Sequence, residues 1–221
     1  DLLRAFDLPI ALLQDAEALE RAADRLVREK AAERVTYMEL RWGPHLHTAK
    51  GLTQRQVIAA VATGASNAAA ACGVDVRLIV TALRSHGVEE NRALAAAAVA
   101  AQDLGVVAFD LAGREAEVPD PLIFASAFDT ARDGGLAITL HAGEWGGAAQ
   151  VRRALAVDPA RQRVGTVDVL LQNGHPVVRE IACQLELYAG FIDGDVAGED
   201  QRIAVAVLPK RVNDGCHQAQ H

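Results

Sequence analysis

Val76-Arg77-Leu78-Ile79-Val80-Thr81, then the Ala-rich segment Glu89–Gln102, then Val106-Val107-Ala108-Phe109-Asp110 read as strand, helix, strand. Short β-branched and aliphatic runs with little polar alternation belong to parallel strands covered by helices. Parallel neighbours also need a crossover of about this length. The same alternation extends both ways. Upstream lie the strand candidate Val35–Leu40 and a helix over Asp15–Lys30, whose Ala16, Leu19, Ala23, Leu26 and Val27 share one face. Asp15 stands at its N-cap. Thr53-Gln54-Arg55-Gln56 is a capping-box pattern opening a helix that Gly73 stops. Downstream, helices are predicted over Pro121–Asp133, Gly147–Val157 and Pro176–Ala182, and strands over Ala137–Leu140, Val164–Asp168, Gln184–Tyr188 and Ile203–Leu208. Seven strands in one βα series predict an α/β fold of the (β/α)8 TIM type rather than a doubly wound sheet, and no Gly-x-Gly-x-x-Gly follows any strand. A full barrel has eight strands in about 250 residues. The expectation is one barrel domain over residues 1–221 that lacks the first strand and the C-terminal end, with 189–221 the poorest match. Unpaired strand edges would then offer a route to self-association.

Composition narrows the function. The net charge is −7 and the basic residues are spread along the chain, which argues against nucleic acid or an anionic membrane as partner. Aromatic residues make up only 4%, too few for base-stacking platforms. No apolar run reaches the roughly 18 residues of a membrane span, and no signal peptide is read at the start. Cys72, Cys183 and Cys216 are odd in number and scattered, which excludes a disulfide framework and points to a reducing, cytoplasmic compartment. A small-molecule enzyme is the leading class.

In a parallel barrel, reactive groups project from the C-terminal ends of the strands. Those positions read Glu39-Leu40-Arg41-Trp42-Gly43-Pro44-His45-Leu46-His47, Arg84-Ser85-His86, Phe109-Asp110-Leu111-Ala112-Gly113-Arg114-Glu115 and Leu140-His141-Ala142-Gly143-Glu144. The last carries an imidazole and a carboxyl three residues apart on a bend that Gly143 permits. A neutral imidazole is the commonest zinc ligand, and a buried Glu is a natural proton donor. The plainer alternative is a core histidine beside a helix-capping Glu. Asp110 either caps a turn or contacts a substrate. Gly113 would let a ligand approach the backbone closely. His45 and His47 alternate as a metal pair would, but they lie beyond Pro44 and outside the strand. Cys216, His217 and His221 could bind metal but sit at the tail.

Tyr37–Leu46, Val107–Glu115 and Leu140–Glu144, in this order and spacing, resemble the adenosine deaminase family. The resemblance covers roughly the first 160 residues and continues more weakly through Pro176–Ala182 and Leu185-Glu186-Leu187. It implies a (β/α)8 barrel holding one zinc and hydrolysing the 6-amino group of a small-molecule purine nucleoside, with the metal lowering the pKa of its bound water. Carried over by position, His141 would be a zinc ligand, Glu144 the acid that protonates the purine ring and Gly113 the backbone contact to that ring. Asp110 is assigned with Gly113 to substrate binding.

The sequence also departs from the family pattern. The His-x-His pair of the family's first strand would precede Asp1. Thr166 stands where the sixth strand should present a His. Ile203–Leu208 runs into Pro209-Lys210-Arg211 instead of Asp-Asp, and Tyr188-Ala189-Gly190-Phe191 replaces the expected Cys-Pro-x-Ser-Asn. A catalytic zinc needs about three protein ligands, and one is matched. Two further readings therefore stand beside a deaminase: an inactive relative that only binds a purine or a protein partner, and a different amidohydrolase with a site rebuilt from His45, His47 and the Cys216–His221 tail.

Overall fold

The computed structural model describes residues 6–143, 147–157 and 183–184. Along them run α1 (Asp7–Leu12), α2 (Ala16–Ala32), β1 (Tyr37–Trp42), α3 (Gln54–Cys72), β2 (Asp75–Leu83), α4 (Val88–Val99), β3 (Val106–Ala112), α5 (Ala125–Asp133), β4 (Ala137–Ile138), α6 (Gly147–Leu155) and β5 (Cys183–Gln184). The five strands form one sheet in the order β4-β3-β2-β1-β5, and every pairing is parallel. β1 to β4 are thus spatial neighbours in chain order, each joined to the next by a helical crossover. This is the α/β architecture of a TIM-type barrel.

Local signals set the element ends. Asp15 caps α2 by accepting from the Ala18 N–H at 2.8 Å. Thr53 and Gln56 form the reciprocal capping box of α3, and Gly73 ends that helix in the left-handed region at φ +70°. The segment predicted as one helix over Pro121–Asp133 divides into a 3₁₀ turn, Pro121–Phe124, and α5. β4 is shorter than predicted, but Thr139 and His141 continue its ladder, donating to Phe109 O and Leu111 O at 2.9 Å. Of the predicted strand Gln184–Tyr188 only Gln184 is described; with Cys183 it forms β5, paired to Leu40 and Arg41 of β1. Val164–Asp168, Pro176–Ala182 and Ile203–Leu208 lie outside the described residues.

The core lies between the sheet and its helices. α2 buries Leu19, Ala23 and Val27, spaced four apart, while α3 buries Val57, Val61, Ala65 and Ala68. A Cβ on Gly64 would stand 2.0 Å from the Glu20 carbonyl oxygen. The bare backbone of α3 therefore rests directly against α2. Phe109 of β3 meets Phe128 of α5 edge to face, with ring centroids 6.3 Å apart, fixing that helix on the sheet. These contacts hold the strand ends in place. Among the described residues no helix is long and apolar enough to cross a membrane.

Candidate active site

The C-terminal ends of β2, β3 and β4 bring Thr81, Asp110 and the segment Thr139–His141 together. Parallel register sets Thr81 beside Asp110 across the β2–β3 ladder. Asp110 is wholly buried. Its Oδ1 accepts from Thr139 Oγ1 at 2.8 Å, and its Oδ2 accepts from Thr81 Oγ1 at 3.3 Å. The same Oδ2 is 3.0 Å from His141 Nδ1 and 3.8 Å from the Arg41 guanidinium on β1. Burial alone would raise the Asp110 pKa. The neighbouring His141 and Arg41 charges and the hydrogen bonds from His141 and Thr139 outweigh it, holding the carboxyl well below its ordinary range. Asp110 is therefore an anion at neutral pH. It holds Nδ1 of His141, and Nε2 is the ring nitrogen that does not face it. This suits a positioning group better than the substrate contact expected of Asp110, because both carboxylate oxygens are engaged and none of the side chain is exposed.

Gly113 follows β3 at φ +104°, a backbone region that side chains rarely enter, and a Cβ there would lie 3.2 Å from the Arg84 nitrogen. Glycine is needed twice over, for conformation and for space. Behind it, the Arg84 guanidinium donates to His141 O at 3.1 Å and to Val118 O at 2.8 Å. Glu115 accepts from the Gly143 N–H at 2.8 Å. Sequence reading placed Arg84 and Glu115 at strand exits without giving them roles, and it missed Arg41, Thr81 and Thr139 as partners of Asp110. A polar residue inside an apolar strand run was the available signal. Glu144 lies outside the described residues.

His45 and His47 do not form a metal pair. They occupy a 3₁₀ turn, Pro44–His47, in which alternate residues point apart rather than sharing a face as on a strand. His47 is buried, with Nδ1 2.8 Å from Leu13 O, tying the turn to the segment after α1. His45 stacks on His86, ring centroids 4.4 Å apart. Burial pushes the His47 pKa below its ordinary 6.5 against the smaller pull of the Leu13 carbonyl. The unfolded chain thus takes up a proton that the folded chain resists, and stability is lost as pH falls below about 6.5. The urea midpoint of the wild type is expected to drop more between pH 7.5 and about pH 5.5 than that of His47→Gln. Equal drops would contradict this assignment.

Nε2 of His141, with its ring held by a carboxylate, fits one ligand of a zinc. Among the described residues no group of three or more His, Cys, Asp or Glu could hold a metal ion. The described residues therefore supply one donor and not a complete site.

The adenosine deaminase family profile matches residues 1–166. An adenosine deaminase of Mycobacterium ulcerans is 39% identical over 215 residues, which is 95% of this chain and 54% of that protein. Among solved structures, an amidohydrolase of Burkholderia ambifaria crystallised with bound Zn superposes at TM-score 0.57 with 30% identity, covering 61% of this chain and 37% of the other. An Arabidopsis structure complexed with GMP superposes at TM-score 0.62 with 29% identity over 72% of this chain and 49% of the other. The chain spans about half the length of the curated relatives it matches. Matching strand exits, parallel βα order and a profile covering three-quarters of its length agree: the chain belongs to the adenosine deaminase family.

Proposed function

We propose that this chain carries the purine-recognising side of a hydrolase that removes an exocyclic amino group from a purine nucleoside, adenosine to inosine and ammonia. The observation that carries this is the buried Asp110–His141 contact at the mouth of a parallel sheet, with Gly113 leaving its backbone open beside it. In this reading the Gly113 N–H contacts the purine ring, His141 offers Nε2 to a divalent metal, Asp110 holds His141, and Glu144 donates a proton to the ring nitrogen. Zinc, when bound, supplies an activated water. Its other ligands have to come from beyond the described residues. The family profile, relatives named adenosine deaminase and a related structure holding GMP support a small-molecule purine as ligand. In this reading the protein works in the cytoplasm, a setting that its three scattered cysteines support.

A second reading, a purine binder without turnover, is favoured by one observation: the described residues offer a single metal donor of the three a catalytic zinc requires. The purified chain, supplied with Zn²⁺ and adenosine, separates the two. Inosine and ammonia appearing in equal amounts support the deaminase. Calorimetric affinity for adenosine without ammonia release supports the binder. Absence of both defeats each of them.

A further inference from the structure

Two buried charges of opposite sign sit behind His141 and are used by nothing in the reading above. Arg84 follows β2 and is 3% exposed, and Glu115 follows β3 and has no exposed surface. Moving charged side chains from water into a protein interior costs several kcal/mol per ion unless hydrogen bonds replace the lost water. Besides the Arg84 bond to Val118 O, one bond from each charge goes to a single tripeptide, His141-Ala142-Gly143. Arg84 donates to the carbonyl of its first residue at 3.1 Å, and Glu115 accepts the N–H of its last at 2.8 Å. The two attachments come from two different loops and hold both ends of the bend. The Arg84 backbone N–H is itself fixed to Ala112 O at 2.8 Å, directly before Gly113. The bend is therefore tied at once to β2, to β3 and to the glycine expected to meet the purine.

We propose that Arg84 and Glu115 are positioning residues that clamp the exit of β4, holding the His141–Gly143 bend so that His141 is set against Asp110. The assignment rests on the deaminase reading for its chemistry, though not for its geometry. Neither side chain touches the reacting atoms. Each acts through the backbone it holds, where a displacement of about 1 Å is enough to cost on the order of a hundredfold in rate. Two such charges are harder to keep than a pair of apolar side chains of similar size, which would fill the space with equal or better stability. A role in aiming the bend accounts for their presence where stability alone does not.

The test separates folding from positioning. Glu115→Leu and Arg84→Met each leave one buried charge, and both are expected to unfold more easily and to deaminate adenosine about a hundredfold more slowly, mainly in kcat. The double variant R84M/E115L removes both charges and is expected to regain the urea midpoint of the wild type while its kcat stays low. Recovery of kcat together with the midpoint would overturn the proposal, since a merely structural pair predicts that result. Glu115→Gln keeps an acceptor for the Gly143 N–H and is expected to restore most of the rate lost in Glu115→Leu. Failure of that rescue counts against the proposal too. Amide exchange at Gly143 supplies a readout without turnover: faster exchange in Glu115→Leu than in Glu115→Gln is required. If the wild type releases no ammonia, the deaminase reading falls while the exchange comparison still decides whether the clamp exists.

Discussion

Asp110→Ala is expected to lower the stability of the chain by about 3–5 kcal/mol, the usual effect of removing one partner from a buried charge cluster. The carboxylate is wholly buried, with Arg41 and His141 facing it and two threonine hydroxyls donating to it. Truncation leaves the Arg41 guanidinium, itself buried, without its counter-charge. Against a typical total of about 5–15 kcal/mol, the loss is a large fraction of what holds the domain together. A urea midpoint at neutral pH within error of the wild type would contradict the arrangement. Asp110→Asn keeps the volume and removes the charge. It can present an amide N–H to His141 Nδ1, which favours the wrong tautomer of the ring, and metal affinity or rate is expected to fall by about 10–100-fold. The pH dependence has a definite sign. Because the folded carboxyl ionises below its ordinary value of 3.8, its contribution is present above that pH and is lost as pH falls through the lower folded value. Asp110→Asn should lose that part of the acid sensitivity.

The second large effect is expected far from any chemistry, at Gly64. In a helix interior, Gly→Ala normally stabilises by about 1 kcal/mol through propensity alone. Here the added methyl would stand 2.0 Å from the carbonyl oxygen of Glu20, and 2.8 Å from its carbon. Both are backbone atoms of α2, so no side chain can swing aside. The two helices must separate, which loosens the packing of Leu19, Ala23 and Val27 on α2 against Val57, Val61 and Ala68 on α3. Overpacking of this kind costs typically 1–3 kcal/mol and occasionally more. Gly64→Ala is expected to reverse the sign of the propensity effect, and Gly64→Val to be worse by a further step. Thermal unfolding checks both, and a stabilised Gly64→Ala would show that the helices are not in contact there.

What could be read in the sequence was whatever the chain decides locally. Asp15, Thr53 with Gln56, and Gly73 mark helix ends because each acts within four residues of itself, and the structure puts all three in those roles. The parallel strands were legible because covered strands carry uninterrupted apolar runs. The His141 and Asp110 positions followed from strand ends, since a barrel gathers those ends at one mouth. Partnerships across the fold were not legible. Thr81 meets Asp110 only through the register of β2 on β3, and Arg84 reaches His141 O across 57 positions of chain. His47 looked like half of a metal pair because alternation assumes an extended backbone, whereas Pro44 starts a 3₁₀ turn that aims the ring at Leu13 O. Gly64 carried no visible signal at all, since its partner lies on another helix.

The chain-order arrangement of β1 to β4 bears on how the molecule is made. Each strand can settle onto the one synthesised just before it, so the exits of β2, β3 and β4 that set His141 against Asp110 can assemble as soon as the segment up to His141 has left the ribosome. Among the described strands only β5 breaks that sequence, returning across well over a hundred residues to lie along β1. β5 thus covers a flank of β1 that β2, β3 and β4 leave unpaired, and an unpaired strand edge on a nascent chain is where a chaperone helps most and a neighbouring chain harms most.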